Sequence, residues 1–170
     1  MSAENSKNKG RDGTNQTTRE ISNLVRREIQ APVMACLLAG FIREIGYDKA
    51  MEAASAAIQM DAENAGKTMA GKYGGNTIKE LLRVIREGWA KENALVYEIL
   101  EETEQILSFN VTRCRYAEMY DRLGVKEFGF CFSCNRDEPL IKGFNPRMKL
   151  TRTQTIMEGS KICDFRIVVE

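Results

Sequence analysis

The chain has 170 residues and a mass of 19.2 kDa, the size of one ordinary globular domain. Apolar residues make up 43% of it and charged residues 29%, and 25 Lys and Arg face 24 Asp and Glu, which gives a net charge of +1. This composition excludes a wholly disordered chain. Because so balanced a charge produces no global field to attract phosphates or anionic lipid, we expect neither a nucleic-acid partner nor a membrane partner.

The sequence contains no His. The usual general base, the usual metal ligand and every nucleophile that depends on a His partner are therefore missing, and catalysis would have to use Cys, Asp, Glu, Lys, Tyr or Arg. Five Cys are an odd number, and no secretory signal precedes them. We therefore expect reduced thiols and a cytoplasmic protein.

The first half of the chain predicts helices. Residues 1–17 are polar and of mixed charge, which predicts a disordered tail before a single domain at residues 18–170. From residue 18 to 45 apolar residues recur mostly every three or four positions, which predicts an amphipathic helix that Pro32 kinks or divides.

Two further helices are expected after that one. The first begins with Asp48 as its cap and runs to about residue 72, where Gly74 and Gly75 end it. The second begins at Thr77, which forms a capping box with Glu80, and runs to about residue 91.

The second half changes to shorter apolar runs. In chain order we predict a strand pair at 94–101 and 106–112, a short helix at 116–123, a segment at 126–136 that favours helix over strand, and two extended runs at 148–157 and 162–169 joined by a hairpin at 158–161. The whole pattern predicts an α+β fold with N-terminal helices packed on a small C-terminal antiparallel sheet.

A dense polar group follows the apolar run that ends at Cys134. It consists of Asn135, Arg136 and Asp137. A thiol beside a guanidinium has its thiolate favoured, which a nucleophile without a His partner needs. The alternative interpretation is a helix C-terminus whose Asn and Arg cap carbonyls.

The cysteines also permit a metal interpretation. Cys131 and Cys134, with Cys114 before them and Cys163 after them, offer four thiolates to zinc, but only one pair is close in sequence. We expect no metal and no cofactor. Cys131 and Cys163 are expected to fill a core instead.

The last two extended runs place polar side chains on one side. As a strand, residues 151–157 would project Arg152, Gln154 and Ile156 to one side, and Asp164 and Arg166 would share a face of the next strand. Such a face suits a small anion with a polar head. The alternative is a solvent-facing strand pair with cross-strand ion pairs.

Several segments, taken in order, carry a family resemblance. TRCRYAEMYDRLG, CFSCNRD, GFNPRMKLTRTQTIMEG and CDFR resemble the L-2-amino-thiazoline-4-carboxylic acid hydrolase family. The likeness runs from about Glu28 to Val168 and is strongest after Asn110. The order of helices and sheet is also distantly similar to the 4-vinyl reductase and transport-complex ligand-binding fold.

The resemblance implies a hydrolase that acts on the carbon–nitrogen bonds of a cyclic amidine or amide, opens a five-membered ring and yields N-carbamoyl cysteine or a similar carbamoyl amino acid. Within the matching segments, Cys134 is the candidate nucleophile and Asp137 the candidate for proton transfer; a water activated by a carboxylate is the other route. Arg152 or Arg113 would hold the substrate carboxylate, and Asp164 or Asp137 the amidine-like nitrogen. The full set of predicted substrate-binding residues is Arg113, Asn135, Arg136, Arg152, Thr155 and Asp164. The expected partner is a small-molecule substrate, with a homo-oligomer left open, and the alternative function is a non-enzymatic, sensor-like ligand-binding domain.

Overall fold

The computed structural model describes residues 21–170, and the tail predicted at residues 1–17 lies outside them. Helices come first and an antiparallel sheet follows, so the predicted α+β class is confirmed. In chain order the main elements are α1 (Asn23–Ile45), α2 (Tyr47–Tyr73), α3 (Ile78–Val84), a π-helical turn (Ile85–Trp89), β1 (Leu95–Glu102), β2 (Ile106–Cys114), α4 (Arg115–Arg122), α5 (Gly129–Phe132), α6 (Asp137–Phe144), β3 (Met148–Thr151) and β4 (Cys163–Val169).

The first helix runs through Pro32 as one element, so of the two predicted alternatives, a kink or a second helix, the second is wrong. Pro32 is exposed. The carbonyl that loses its hydrogen bond to the missing N–H therefore lies on the solvent side, where water can satisfy it. The hydroxyl of Ser22 accepts a hydrogen bond from the Val25 amide and caps the start of the helix.

Two glycines bring α2 and α6 into backbone contact. A methyl group on Gly66 would overlap the carbonyl oxygen of Leu140, and one on Gly143 would overlap the carbonyl oxygen of Glu63. Only glycine permits so close an approach. The contact fixes α6, whose first residue is Asp137, against the long second helix.

The third helix starts as predicted and ends differently. The capping box of Thr77 and Glu80 is present. After Val84 the helix widens into the π-helical turn, where the Ala90 amide donates to the Ile85 carbonyl at 2.8 Å. The turn ends at Trp89, whose ring lies 6.3 Å from that of Phe165 in the sheet.

The four strands of the described chain are antiparallel in the order β1-β2-β4-β3, and the predicted strand pair forms β1 and β2. One face is buried against the helices, because alternate residues such as Phe109 and Phe165 point inward. These two residues are direct partners across β2 and β4, and their rings stack at 4.6 Å.

The tight hairpin predicted at residues 158–161 is wrong. Strand β3 ends at Thr151, and the chain leaves the sheet and makes a 3₁₀ turn at Ile156–Glu158 before β4 begins. The carboxylate of Asp164 holds this excursion, because it accepts hydrogen bonds from the backbone amides of Thr153 and Gln154 at 3.0 and 2.9 Å. The predicted alternation of side chains from Arg152 to Met157 therefore fails.

The segment at 126–136 is only partly α-helical. Its α-helix is the four-residue α5, with 3₁₀ turns at Lys126–Phe128 and Cys134–Arg136. The second turn leads directly into α6 and carries Cys134 towards the sheet.

Candidate functional site

A cavity of about 90 Å³ lies between the helices and the buried face of the sheet. Residues from six parts of the chain enclose it: the start of α1, the π-helical turn, the sheet, the start of α4, α6 with the turn that leads into it, and the segment between β3 and β4. Its walls are Asn23, Arg27, Trp89, Leu95, Val111, Cys114, Tyr116, Ser133, Cys134, Arg136, Asp137, Leu140, Arg152, Met157, Cys163 and Phe165. The Tyr116 hydroxyl donates to the Trp89 carbonyl at 3.0 Å and ties two of these walls together.

An ion pair between Asp137 and Arg152 forms the polar part of the cavity. One guanidinium nitrogen of Arg152 donates to Oδ2 of Asp137, and the other donates to the carbonyl of Cys134 at 3.1 Å. The guanidinium also lies 5.1 Å from the ring centre of Phe165. Burial raises the pKa of Asp137, and Arg152 opposes that rise. Within residues 21–170, Oδ1 of Asp137 makes no hydrogen bond, so it is available to a ligand or a water.

Cys134 lines the same cavity, but its thiol is not activated there. Burial raises the pKa of Cys134, the carboxylate of Asp137 raises it further, and Arg152 only partly opposes them. The neighbouring Arg136, which the sequence suggested as the activating cation, instead pairs with Asp61 on α2 at 2.6 Å. The resting thiol is therefore protonated at neutral pH.

Arg27 is a cavity residue that the sequence reasoning missed. Its guanidinium donates to the side-chain oxygen of Gln30 at 3.0 Å, and no carboxylate of the described chain lies within ion-pair distance of it. Burial lowers the pKa of Arg27, and the nearby charge of Arg136 lowers it further. An anion bound beside Arg27 would relieve both effects. The sequence signal was a charged residue on the border of the buried face of α1, one turn from Leu24 and Ala31.

Four predicted site residues converge on the cavity, namely Cys134, Arg136, Asp137 and Arg152. The other four lie elsewhere, and each is occupied by another group. The exposed Arg113 pairs with Glu118 at 2.7 Å, Asn135 accepts from Gln59 at 2.7 Å, Thr155 bonds Glu158 at 2.7 Å, and Asp164 holds the segment after β3.

The position of Asp164 follows from the pleat of β4. Cys163 and Phe165 point into the cavity, so Asp164 points to the opposite face, which it shares with Arg166 as predicted. The arginine-bearing face of β4 is therefore not the face that meets Cys134.

All five cysteines are free thiols, and Cys131 and Cys163 are buried as predicted. Cys114 and Cys163 join Cys134 in the cavity wall, and burial raises the pKa of Cys114 to about 11. Across residues 21–170, no group of three or more His, Cys, Asp or Glu side chains is arranged to hold a metal ion.

The cavity thus combines a carboxylate with one available oxygen, an arginine that no carboxylate of residues 21–170 pairs with, and walls that are mostly apolar. Such an arrangement, in an α+β domain, is chemically suited to a small anionic molecule. The sequence model of the L-2-amino-thiazoline-4-carboxylic acid hydrolase family matches residues 26–167, and the chain belongs to this family.

Comparison with other proteins adds the following. No curated protein matches the chain. Among solved structures, the chain is similar to a crystal structure of a trafficking protein particle complex subunit 3 from Naegleria fowleri that is covalently bound to palmitic acid. The two share 14% identity over 86% of this chain and 96% of that one, with a TM-score of 0.48. None of the helices in residues 21–170 is both long and apolar enough to cross a membrane.

Proposed function

We propose that the protein is a hydrolase that opens a small ring carrying an amidine and a carboxylate, with 2-amino-thiazoline-4-carboxylate as the reference substrate. Membership of the family supports the reaction class. The observation that carries the proposal is that one cavity contains both Asp137 and Arg27. The carboxylate of Asp137 can accept a proton, and the guanidinium of Arg27 can bind an anion. We further propose that the reaction takes place in the cytoplasm, where the site's thiols would stay reduced.

The size of the cavity supports a compact substrate. A volume of about 90 Å³ is less than the roughly 150 Å³ that holds a benzene ring. A five-membered ring with a carboxylate would therefore place its ring inside and extend its carboxylate towards Arg27, which is partly exposed. This orientation would leave the amidine carbon near Asp137.

The reaction is balanced by one water. The oxygen of the water adds to the ring carbon bonded to both nitrogen and sulfur, the ring carbon–sulfur bond breaks, and the two protons of the water end on sulfur and on the ring nitrogen. The product is an N-carbamoyl amino acid with a free thiol. In a cyclic amidine or amide without sulfur, the bond that opens would be a carbon–nitrogen bond.

Asp137 is the proposed proton acceptor for this water. Its Oδ1 has no hydrogen-bond partner in residues 21–170, while Arg152 fixes the orientation of Oδ2. Burial raises the pKa of Asp137 and so makes it a stronger base than an exposed carboxylate. A covalent route through Cys134 is less well supported, because the pKa of this thiol is raised too and the nucleophile would have to be its thiolate.

The direct test is turnover by the purified full chain. We expect 2-amino-thiazoline-4-carboxylate to be converted to a product heavier by one water, with one new thiol per turnover, measured by mass spectrometry and a thiol reagent. Asp137→Asn should lower kcat by about 10² to 10⁴. Asp121→Asn is the matched control, because it removes an exposed carboxylate that lies outside the cavity, and it should retain turnover.

Two further outcomes separate the alternatives. Cys134→Ser should keep most of the activity if a water attacks directly, whereas a loss as large as that of Asp137→Asn would favour the covalent route. Calorimetric binding of cyclic amidines by the folded wild type without turnover of any of them would overturn the hydrolase proposal and favour the sensor-like ligand-binding domain.

A further inference from the structure

The outward face of α1 is apolar along most of its length. Ile29 and Val33 are each 63% exposed, Leu37 is 57% exposed and Phe41 is 56% exposed. These four residues recur every four positions, which makes them one continuous ridge on the helix surface. Monomeric soluble proteins rarely expose so many large apolar side chains together.

The ridge continues into an apolar groove between α1 and α2. The groove has a volume of about 410 Å³. Leu37 and Phe41 belong to both the ridge and the groove, and Ala53 and Ala57 of α2 form the opposite wall. Small residues on that wall allow another helix to approach closely.

Two occupants other than a second protein chain are disfavoured by the sequence. Residues 1–20 contain only Met1 and Ala3 as apolar side chains, so they cannot cover the ridge with apolar surface. A membrane-surface helix carries Lys and Arg on its polar face. Of the three arginines of α1, Arg27 lines the cavity. The other two, Arg26 and Arg43, are balanced by Glu28 and Glu44.

We infer that the outward face of α1 is the interface of a homodimer, in which two copies of α1 pack antiparallel about a two-fold axis. In one register of this arrangement, Val33 lies opposite Leu37 of the partner subunit and Ile29 opposite Phe41 of the partner subunit. The same register places Arg26 opposite Glu44 of the partner subunit. A two-fold axis repeats each contact, as closed homodimers require.

The charges support this register. Neither Arg26 nor Glu44 forms an ion pair within residues 21–170, although both lie on the exposed side of α1. They are of opposite sign and lie near opposite ends of the ridge. An antiparallel copy therefore brings each to its complement, whereas a parallel copy would bring like charges together.

Sedimentation velocity of the full chain tests the dimer. We expect the wild type to sediment as a dimer of two 19.2 kDa chains. The double variant Val33→Glu/Leu37→Glu should be monomeric, with a circular dichroism spectrum unchanged. Leu100→Glu is the matched control, because Leu100 is 53% exposed on edge strand β1, and it should remain dimeric. A monomeric wild type, or a dimer that persists in the double variant, overturns the inference.

A charge exchange tests the register. Arg26→Glu and Glu44→Arg should each raise the dimer Kd by roughly tenfold, since each creates two like-charge contacts, and the double variant should restore the wild-type value. Two weakened single variants without restoration in the double variant would overturn the antiparallel register.

A measurement on the wild type avoids any dependence on how variants fold. Cys36 is the exposed cysteine of the five and lies on the same helix. A short bismaleimide should therefore join two chains into a covalent dimer, and Cys36→Ser should abolish it. Absence of the covalent dimer, or binding of the wild type to neutral or anionic vesicles in place of self-association, would count against a second copy as the occupant.

Discussion

Arg152 and Asp137 form an ion pair that joins the segment after β3 to the first turn of α6. Only 10% of the Arg152 side chain and 21% of the Asp137 side chain are exposed. Each charge therefore depends on the other, since an isolated charge in such a place would lose most of its hydration. The pair holds one oxygen of Asp137 and leaves the other to the cavity.

The mutual dependence of this pair predicts a stability cycle. Arg152→Ala should lower the free energy of unfolding by about 3 kcal/mol or more, because it leaves a buried carboxylate without its partner. The double variant Arg152→Met/Asp137→Leu should recover much of that loss. Urea denaturation measures both. Arg113→Ala, which breaks an exposed pair, serves as the control and should leave stability unchanged; an equal loss there would mean that burial is not the cause.

Arg27 predicts a specific kinetic effect. If it holds the substrate carboxylate, Arg27→Gln should raise KM by about 10- to 100-fold, the worth of a hydrogen bond to a charged group, with little change in kcat. Arg27→Lys should recover part of the loss. Steady-state kinetics on the proposed substrate give both parameters. Arg83→Gln removes an exposed arginine that does not line the cavity, and it should leave KM unchanged. An unchanged KM in Arg27→Gln would remove this residue from substrate binding.

The pH profile should separate the two routes to ring opening. Asp137 acts as its carboxylate, and burial raises its pKa above the ordinary value of about 3.9. Activity should therefore fall as the pH drops through that raised pKa, and the residual activity of Asp137→Asn should lack this limb.

A thiolate nucleophile would give a different profile. Because the pKa of Cys134 is raised, its thiolate would accumulate only above the ordinary Cys value of about 8.5, and activity would climb steadily through alkaline pH. A rate profile of kcat/KM that rises in this way, and flattens in Cys134→Ser, would contradict the role proposed for Asp137.

Gly66 predicts a packing effect with an internal control. Gly66→Ala should destabilise the protein by about 1 to 3 kcal/mol, because the added methyl group overlaps the backbone of α6. Gly71→Ala lies on the same helix, and its methyl group would meet nothing within 4 Å. It should be neutral or stabilise by up to about 1 kcal/mol, since alanine favours helix. Thermal denaturation of both variants measures the difference, and equal melting temperatures would show that α6 can move away from α2.

Local chemistry made much of the fold predictable. The capping box of Thr77 and Glu80 and the glycine that ends α2 act over a few residues, and the structure confirms both. The pair β1 and β2 was also predictable, because two apolar runs separated by a short charged segment pair locally.

The elements that escaped prediction depend on contacts distant in sequence. Helix α6 has eight residues, with Pro139 in its first turn and Gly143 near its end, and its packing against Gly66 is invisible in its own pattern. The end of β3 depends on Asp164, which binds the backbone eleven residues earlier. A period-two pattern carries no sign of such a contact.

The site was predictable where its residues lie close together in the sequence. Cys134, Arg136 and Asp137 are close in sequence, and Arg152 lies in a neighbouring motif, so four predicted residues reach one cavity. A charge on the border of an amphipathic helix looks like any solvated charge, and Arg27 was therefore missed. A regular strand over residues 151–157 would put Arg152 on the polar face of the hairpin with Asp164; instead the chain leaves the sheet after Thr151, and the pleat of β4 turns Asp164 away from the cavity that Arg152 lines.

The glycine contact between α2 and α6 limits how this pocket can be redesigned. Since the backbones of the two helices already touch, the wall that carries Leu140 and Asp137 cannot be moved closer to α2 to make room for bulkier compounds. Added space must come from trimming side chains on the strand side, where Leu95 and Val111 stand. Variants with a broadened substrate range should accordingly be sought by replacing these two residues with smaller ones, with Asp137 and Arg152 left unchanged.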